Sequence, residues 1–98
     1  MIVRLVKMVF EPEYVEEFQT LFRENKQYIR DFEGCTFLEL YQDKACPEIF
    51  FTYSYWENEE ALENYRHSNL FRRVWGKTKP LFGEKPQAWS VDKIVSLD

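Results

Sequence analysis

An α+β domain, with four antiparallel strands covered on one side by helices, is what this sequence of 98 residues predicts. Three observations carry that reading. Segments dense in β-branched and aromatic residues alternate with segments whose apolar residues recur at three-and-four spacing. They come in the order strand, helix, strand, strand, helix, strand. A chain of 98 residues with 45% hydrophobic and 31% charged side chains has material for one core, so residues 1–98 form a single domain.

Residues 1–10 are rich in Ile, Val, Leu and Phe, and they stop at Glu11-Pro12, where proline cannot continue a ladder but suits the first turn of a helix. From Glu13 the apolar positions Tyr14, Val15, Phe18, Leu21, Phe22, Ile29 and Phe32 make one helical stripe, and Gly34 supplies a left-handed stop. Residues 35–42 and 48–56 are strands joined by Asp43-Lys-Ala-Cys-Pro47, which predicts an antiparallel hairpin. Asn58 caps a short helix with Glu59 and Glu60 in its first turn, and Ser68 caps a further helical stretch carrying Phe71, Val74 and Trp75. Pro80, Gly83 and Pro86 then end regular structure, and residues 87–97 read as the last strand. The order β-α-β-β-α-β is the split βαβ, or ferredoxin-like, arrangement.

Composition excludes several classes of function. The net charge of −4 and a pI near 5.1 provide no positive field for a phosphate backbone, so nucleic acid is not an expected partner. Arg4 and Lys7 interrupt the apolar start, and no run of about 20 apolar residues follows, so neither a secretory signal nor a membrane span is expected and the cytoplasm is the predicted location. Cys35 and Cys46 have no C-x-x-C spacing and one His for company, too few ligands for structural zinc, and read as two free thiols. No Gly-rich phosphate loop, G-x-S-x-G or H-E-x-x-H occurs. Aromatic content is the outlier at 18%, with nine Phe, six Tyr and three Trp.

Strand alternation adds a prediction about assembly. Ile49, Phe51, Tyr53 and Tyr55 point one way, while Phe50, Thr52, Ser54 and Trp56 point the other; Ile2, Val6, Met8 and Phe10 likewise oppose Val3, Leu5 and Val9. Both sheet faces are apolar, and one chain has helices for only one of them. A homodimer that pairs the second faces is the simplest cover.

Phe32-Glu-Gly-Cys35, the hairpin ending Tyr55-Trp56-Glu57, and Glu59-Glu-Ala-Leu62 followed by Tyr65-Arg-His-Ser68 and Phe71 resemble the antibiotic biosynthesis monooxygenase family of dimeric α/β barrels. The resemblance runs over nearly the whole chain. It implies a pocket within each subunit between sheet and helices, and it implies relatives of two chemistries: cofactor-independent oxidation of phenols or quinols, and haem degradation. In the haem-degrading branch an aromatic residue nine positions beyond the strand-end Trp flanks the haem, with an axial His about one helix further on; those positions are Tyr65 and Trp75 here. Trp75 cannot ligate iron as imidazole does, and the first strand lacks that branch's Asn, so haem is disfavoured and no cofactor is expected. In the phenol-oxidising branch a polar residue four positions before the same Trp helps hold the substrate oxygen, which here is Thr52.

The expected site therefore has Tyr65, His67 and Thr52 as its polar, catalytic residues, with Trp56, Phe71, Trp75 and Tyr53 shaping the substrate cavity. His67, the only imidazole, offers a base near neutral pH. The expected function is a cofactor-independent monooxygenase of a small aromatic, a phenol or quinol. The alternatives are a module of the same fold that binds a small or haem-like ligand without chemistry, and a scaffold whose aromatic residues are plain core.

Overall fold

The computed structural model describes residues 1–98. Its elements are β1 (Ile2–Phe10), a 3-10 turn (Pro12–Tyr14), α1 (Val15–Arg30), β2 (Cys35–Gln42), β3 (Ile49–Trp56), α2 (Glu59–Arg66), α3 (Asn69–Thr78), a second 3-10 turn (Lys79–Leu81) and β4 (Phe82–Val91). The strands form one antiparallel sheet in the order β2-β3-β1-β4. This is the expected α+β, ferredoxin-like fold.

Local chemistry sets the element boundaries. Pro12 opens the 3-10 turn that leads into α1. Gly34 takes φ 92°, and a Cβ there would stand 2.4 Å from the Ala61 Cβ, so only glycine lets the chain turn this close to α2. The Asn58 side chain accepts a hydrogen bond from the Ala61 N–H at 2.8 Å, and the Ser68 hydroxyl accepts one from the Phe71 N–H at 3.1 Å. Both N-caps fall where the sequence predicts them. In the hairpin the Asp43 carboxylate accepts from the N–H groups of Ala45 and Cys46. Glu48 lies outside β3, so the connection is one residue longer than expected.

The last strand departs from its prediction. Regular structure continues through Gly83 and Pro86, and β4 ends at Val91 rather than at residue 97. The physical reason is that β4 is an edge strand. Its register against β1 shifts between Lys7 and Val9 and again between Val9 and Phe10, so Gly83 and Pro86 sit at irregularities where a lost side chain or N–H is tolerated.

The helices cover one side of the sheet. Phe18 and Ile29 of α1 and Leu62 of α2 are buried there, together with Met8, Phe10, Phe50 and Trp56 from the strands. The core is nevertheless divided into two clusters. Met8, Phe10, Phe18, Phe50 and Leu81 make one, and Cys35, Trp56 and Leu62 the other. Along the covered face of β3 the residues run Phe50, Thr52, Ser54, Trp56, large at both ends and small in the middle, and Val6 of β1 pairs in register with both Thr52 and Ala88. Small side chains at the centre of the sheet leave space between the two clusters. No helix is long and apolar enough to cross a membrane.

Candidate functional site

That space is a cavity of about 330 Å³, lined by members of both clusters and by β4. Thirteen of its twenty lining residues are hydrophobic, so its volume and character suit one small, flat, apolar ligand. Thr52, Trp56, Tyr65, Phe71 and Trp75, all expected from sequence, line it together.

The aromatic wall is continuous. Trp56 stacks on Tyr65 with ring centroids 4.8 Å apart, Tyr65 meets Phe71 edge-on at 5.2 Å, and Phe71 stacks on Trp75 at 5.7 Å. Phe32 closes on the Tyr65 ring at 5.4 Å. Trp56 is fixed further by its indole N–H, which donates to the Ser54 hydroxyl at 3.0 Å, so its polar atom is satisfied inside the core. The ring planes thus come from three elements: the end of β3, α2 and α3.

Polar atoms are few. Tyr65 lines the cavity, and its Oη makes no hydrogen bond within the chain and is not sealed from solvent, so the hydroxyl is free for a ligand. Burial pushes the Tyr65 phenol well above its ordinary range, with the nearby Cys35 adding to the shift. It is therefore a neutral hydrogen-bond donor at physiological pH. Thr52 presents a second hydroxyl from β3.

Two expected site residues lie elsewhere. His67 is the C-cap of α2, its side chain 66% exposed and its Nε2 3.7 Å from the Glu63 carboxylate, and it does not line the cavity. Its imidazole lies beside Glu63, one helical turn earlier on α2, and not beside Tyr65 in the cavity. Tyr53 is on the open side of the sheet, because strand alternation sends it opposite to Thr52 and Trp56. It packs with Phe37 at 5.5 Å and shares a hydroxyl contact of 3.1 Å with Tyr55.

Sequence reasoning also missed the two charged residues of the lining. Arg4 of β1 and Arg66 of α2 both line the cavity. The signal for Arg4 was available: it alternates in step with Ile2, Val6 and Met8, which puts a charge on the covered face. Burial, then the neighbouring Arg66, lowers the Arg4 pKa, while Glu63 opposes the shift.

No group of three or more His, Cys, Asp and Glu side chains is placed to hold a metal ion. The cavity lining contains no imidazole or thiol, so its donor set does not fit a haem iron held by His or Cys. Cys35 is buried in the core, where loss of solvent raises its thiol pKa, and Cys46 is half-buried in the hairpin loop.

Three solved structures show how widely this architecture is shared. A crystal structure of an antibiotic biosynthesis monooxygenase superposes with a TM-score of 0.91 at 19% identity, covering 97% of this chain and all of the other. A conserved protein from Methanosarcina mazei Go1 gives 0.88 at 24% identity over 95% of this chain and 93% of its own. Rv0793 from Mycobacterium tuberculosis gives 0.89 at 12% identity over 99% and 98%. These likenesses establish the fold. A search of curated proteins gives no sequence match. The family model for antibiotic biosynthesis monooxygenase matches residues 1–75, which span β1 through the Trp75 wall of the cavity, and the chain therefore belongs to the antibiotic biosynthesis monooxygenase family.

Proposed function

We propose that the chain is a cofactor-independent monooxygenase of a small phenol or quinol, acting as a cytoplasmic homodimer. The observation that carries this reading is the cavity between sheet and helices, walled by Trp56, Tyr65, Phe71 and Trp75 and supplied with the free hydroxyls of Tyr65 and Thr52. Flat aromatic walls orient a flat ring. The neutral Tyr65 phenol donates a hydrogen bond to the substrate oxygen and favours its anionic form.

The reaction balances without an external reductant. One phenol and one O2 give one quinone and one water: the ring keeps one oxygen atom, and the other leaves with the phenolic hydrogen and the hydrogen of the attacked carbon. The phenol O–H proton leaves first. The phenolate then gives one electron to O2, the ring radical and superoxide join as a carbon-bound peroxide anion, and this takes one proton back from water to become the hydroperoxide. Its O–O bond breaks as the hydrogen of the attacked carbon leaves as a proton, so that water departs and the second carbonyl forms. The protein supplies orientation, a dry site and stabilisation of the anion. Tyr65 and Thr52 touch the substrate oxygen in this scheme, and the proton passes to water at the cavity mouth. His67, exposed at the end of α2, takes no part in the contact.

Membership of the family and the two free cysteines support the remaining parts of the reading. One observation favours a second reading, a binding module without chemistry: no carboxylate or imidazole lines the cavity to accept a proton. Oxygen-electrode measurements decide between the two. With a panel of phenols and quinols, in the presence of a metal chelator and without added flavin, one O2 is consumed per substrate. Binding of the same compounds with no oxygen uptake overturns the monooxygenase in favour of the module.

A further inference from the structure

Resting on that reading, we propose that the ligand of this cavity is an aromatic acid: a phenol or quinol bearing a carboxylate, which Arg4 and Arg66 bind. Arg4 occupies an inward position at the middle of the sheet, between Ser54 of β3 and Ser90 of β4 in the register. Its guanidinium makes one side-chain hydrogen bond, to the Ser90 hydroxyl at 3.0 Å, and forms no ion pair. A partly buried guanidinium that uses one donor on Ser90 and has no ion-pair partner keeps its remaining donors free for a bound anion.

Arg66 adds a second cation on the same cavity. Glu63 pairs with Arg66 at 2.8 Å and is the one carboxylate that acts on Arg4, so two positive groups face one negative group. A single carboxylate neutralises the remainder. Its two oxygens also match the forked donors of a guanidinium, which the lone oxygen of a phenolate does not. The geometry separates the two ends of such a ligand. Thr52 is paired with Val6, two residues along β1 from Arg4, and lies diagonally across the pair from it, about 7–8 Å by strand geometry. That is close to the reach of an aromatic ring that carries a hydroxyl at one end and an acid at the other. The rest of the chain is acidic, with a net charge of −4, so the two arginines are a local feature and not part of a general basic surface.

Paired probes test the assignment. Quenching of tryptophan fluorescence is titrated with 6-hydroxy-2-naphthoate and with its methyl ester, which differ in the charge. The acid is expected to bind at least about tenfold more tightly than the ester in the unaltered protein, as befits a charge-assisted bidentate pair. In Arg4→Met the ratio falls to about one, and in Arg66→Gln it falls part of the way. High salt reduces the preference in the unaltered protein and leaves it unchanged in Arg4→Met. Equal affinity for acid and ester, or a preference untouched by both substitutions, overturns the assignment. Circular dichroism of the two variants confirms folding, and Arg66→Gln alters a side chain 44% exposed, so one of the two reports on binding even if the other is damaged. Oxygen uptake is read separately. Arginine-dependent binding of the acid without uptake refutes the monooxygenase and keeps the acid site, whereas uptake with 2-naphthol and no preference for acids does the reverse.

Discussion

Tyr65 is held by aromatic rings on three sides, Trp56, Phe32 and Phe71, so removing its oxygen leaves the ring where it is. If the hydroxyl bonds the substrate oxygen, Tyr65→Phe lowers kcat/KM by roughly 10- to 100-fold, the worth of about 1.5–3 kcal/mol for a hydrogen bond to a charged partner. Oxygen-uptake kinetics on a quinol measure it, and an unchanged rate removes Tyr65 from the mechanism. The same substitution has a signature in stability. Burial raises the Tyr65 phenol above its ordinary 10.0 and the Cys35 thiol above its ordinary 9.0. Each group gives up its proton in the unfolded chain first. Their contribution is therefore complete below those ordinary values and is lost as pH rises from about 9 through the elevated folded-state values, at about 1.4 kcal/mol per pH unit for each group. Urea denaturation between pH 8 and 11 follows the decline, and Tyr65→Phe flattens the part above pH 10. At this scale the sequence was legible wherever one residue's face followed from its neighbours. Thr52 and Trp56 share a face by alternation, and the same alternation already placed Tyr53 opposite them and Arg4 inward. What could not be read was His67, whose direction depends on where α2 ends, a matter of one residue.

The contact between the β2 entrance and α2 is decided by Gly34, and it links a turn to the helix that carries Tyr65. Gly34→Ala forces a Cβ into a left-handed backbone, costing about 1–2 kcal/mol, and drives it against Ala61, so a total loss of about 2–4 kcal/mol is expected in chemical denaturation. Ala61→Gly in the same chain removes the collision but not the backbone strain. The double variant is then more stable than the two single losses predict when added, by about 1 kcal/mol, and simple additivity counts against the contact. Elements whose ends are written in side-chain chemistry were legible: Pro12, Asn58 and Ser68 each mark a boundary that the structure keeps, whereas α1 stops earlier than the stripe predicts, at Arg30, and Gly34 turns the chain into β2 instead of capping the helix. β4 was not, because glycine and proline break a central strand yet are accommodated on an edge. Whether a strand is central or at the edge is a property of the whole sheet, and no window along the chain contains it.

The sheet as a whole has one side that this chain does not cover with a helix. Phe37, Tyr41, Tyr53 and Tyr55 form a connected aromatic group there, with the Phe37 and Tyr55 rings stacked at 4.5 Å and Tyr53 meeting Tyr55 edge-on at 5.4 Å. The Lys93 ammonium lies 4.4 Å from the centre of the Tyr55 ring and gives partial shelter. Even so, Tyr41 remains 50% exposed and Trp89 45%, and beyond β4 Ile94 and Leu97 are almost fully exposed. So much contiguous apolar surface is unusual on a lone subunit, and a second copy presents a matching face under two-fold symmetry. Sedimentation at micromolar concentration is expected to give a particle of twice 12.0 kDa. Tyr53→Glu places a charge at the centre of the aromatic group and is expected to yield single subunits, because two like charges would then face each other without water. The fold should survive that change, since the Tyr53 side chain takes no part in either buried cluster. Single subunits in the unaltered protein, or an intact pair in Tyr53→Glu, would show that the aromatic side of the sheet meets water and not a partner.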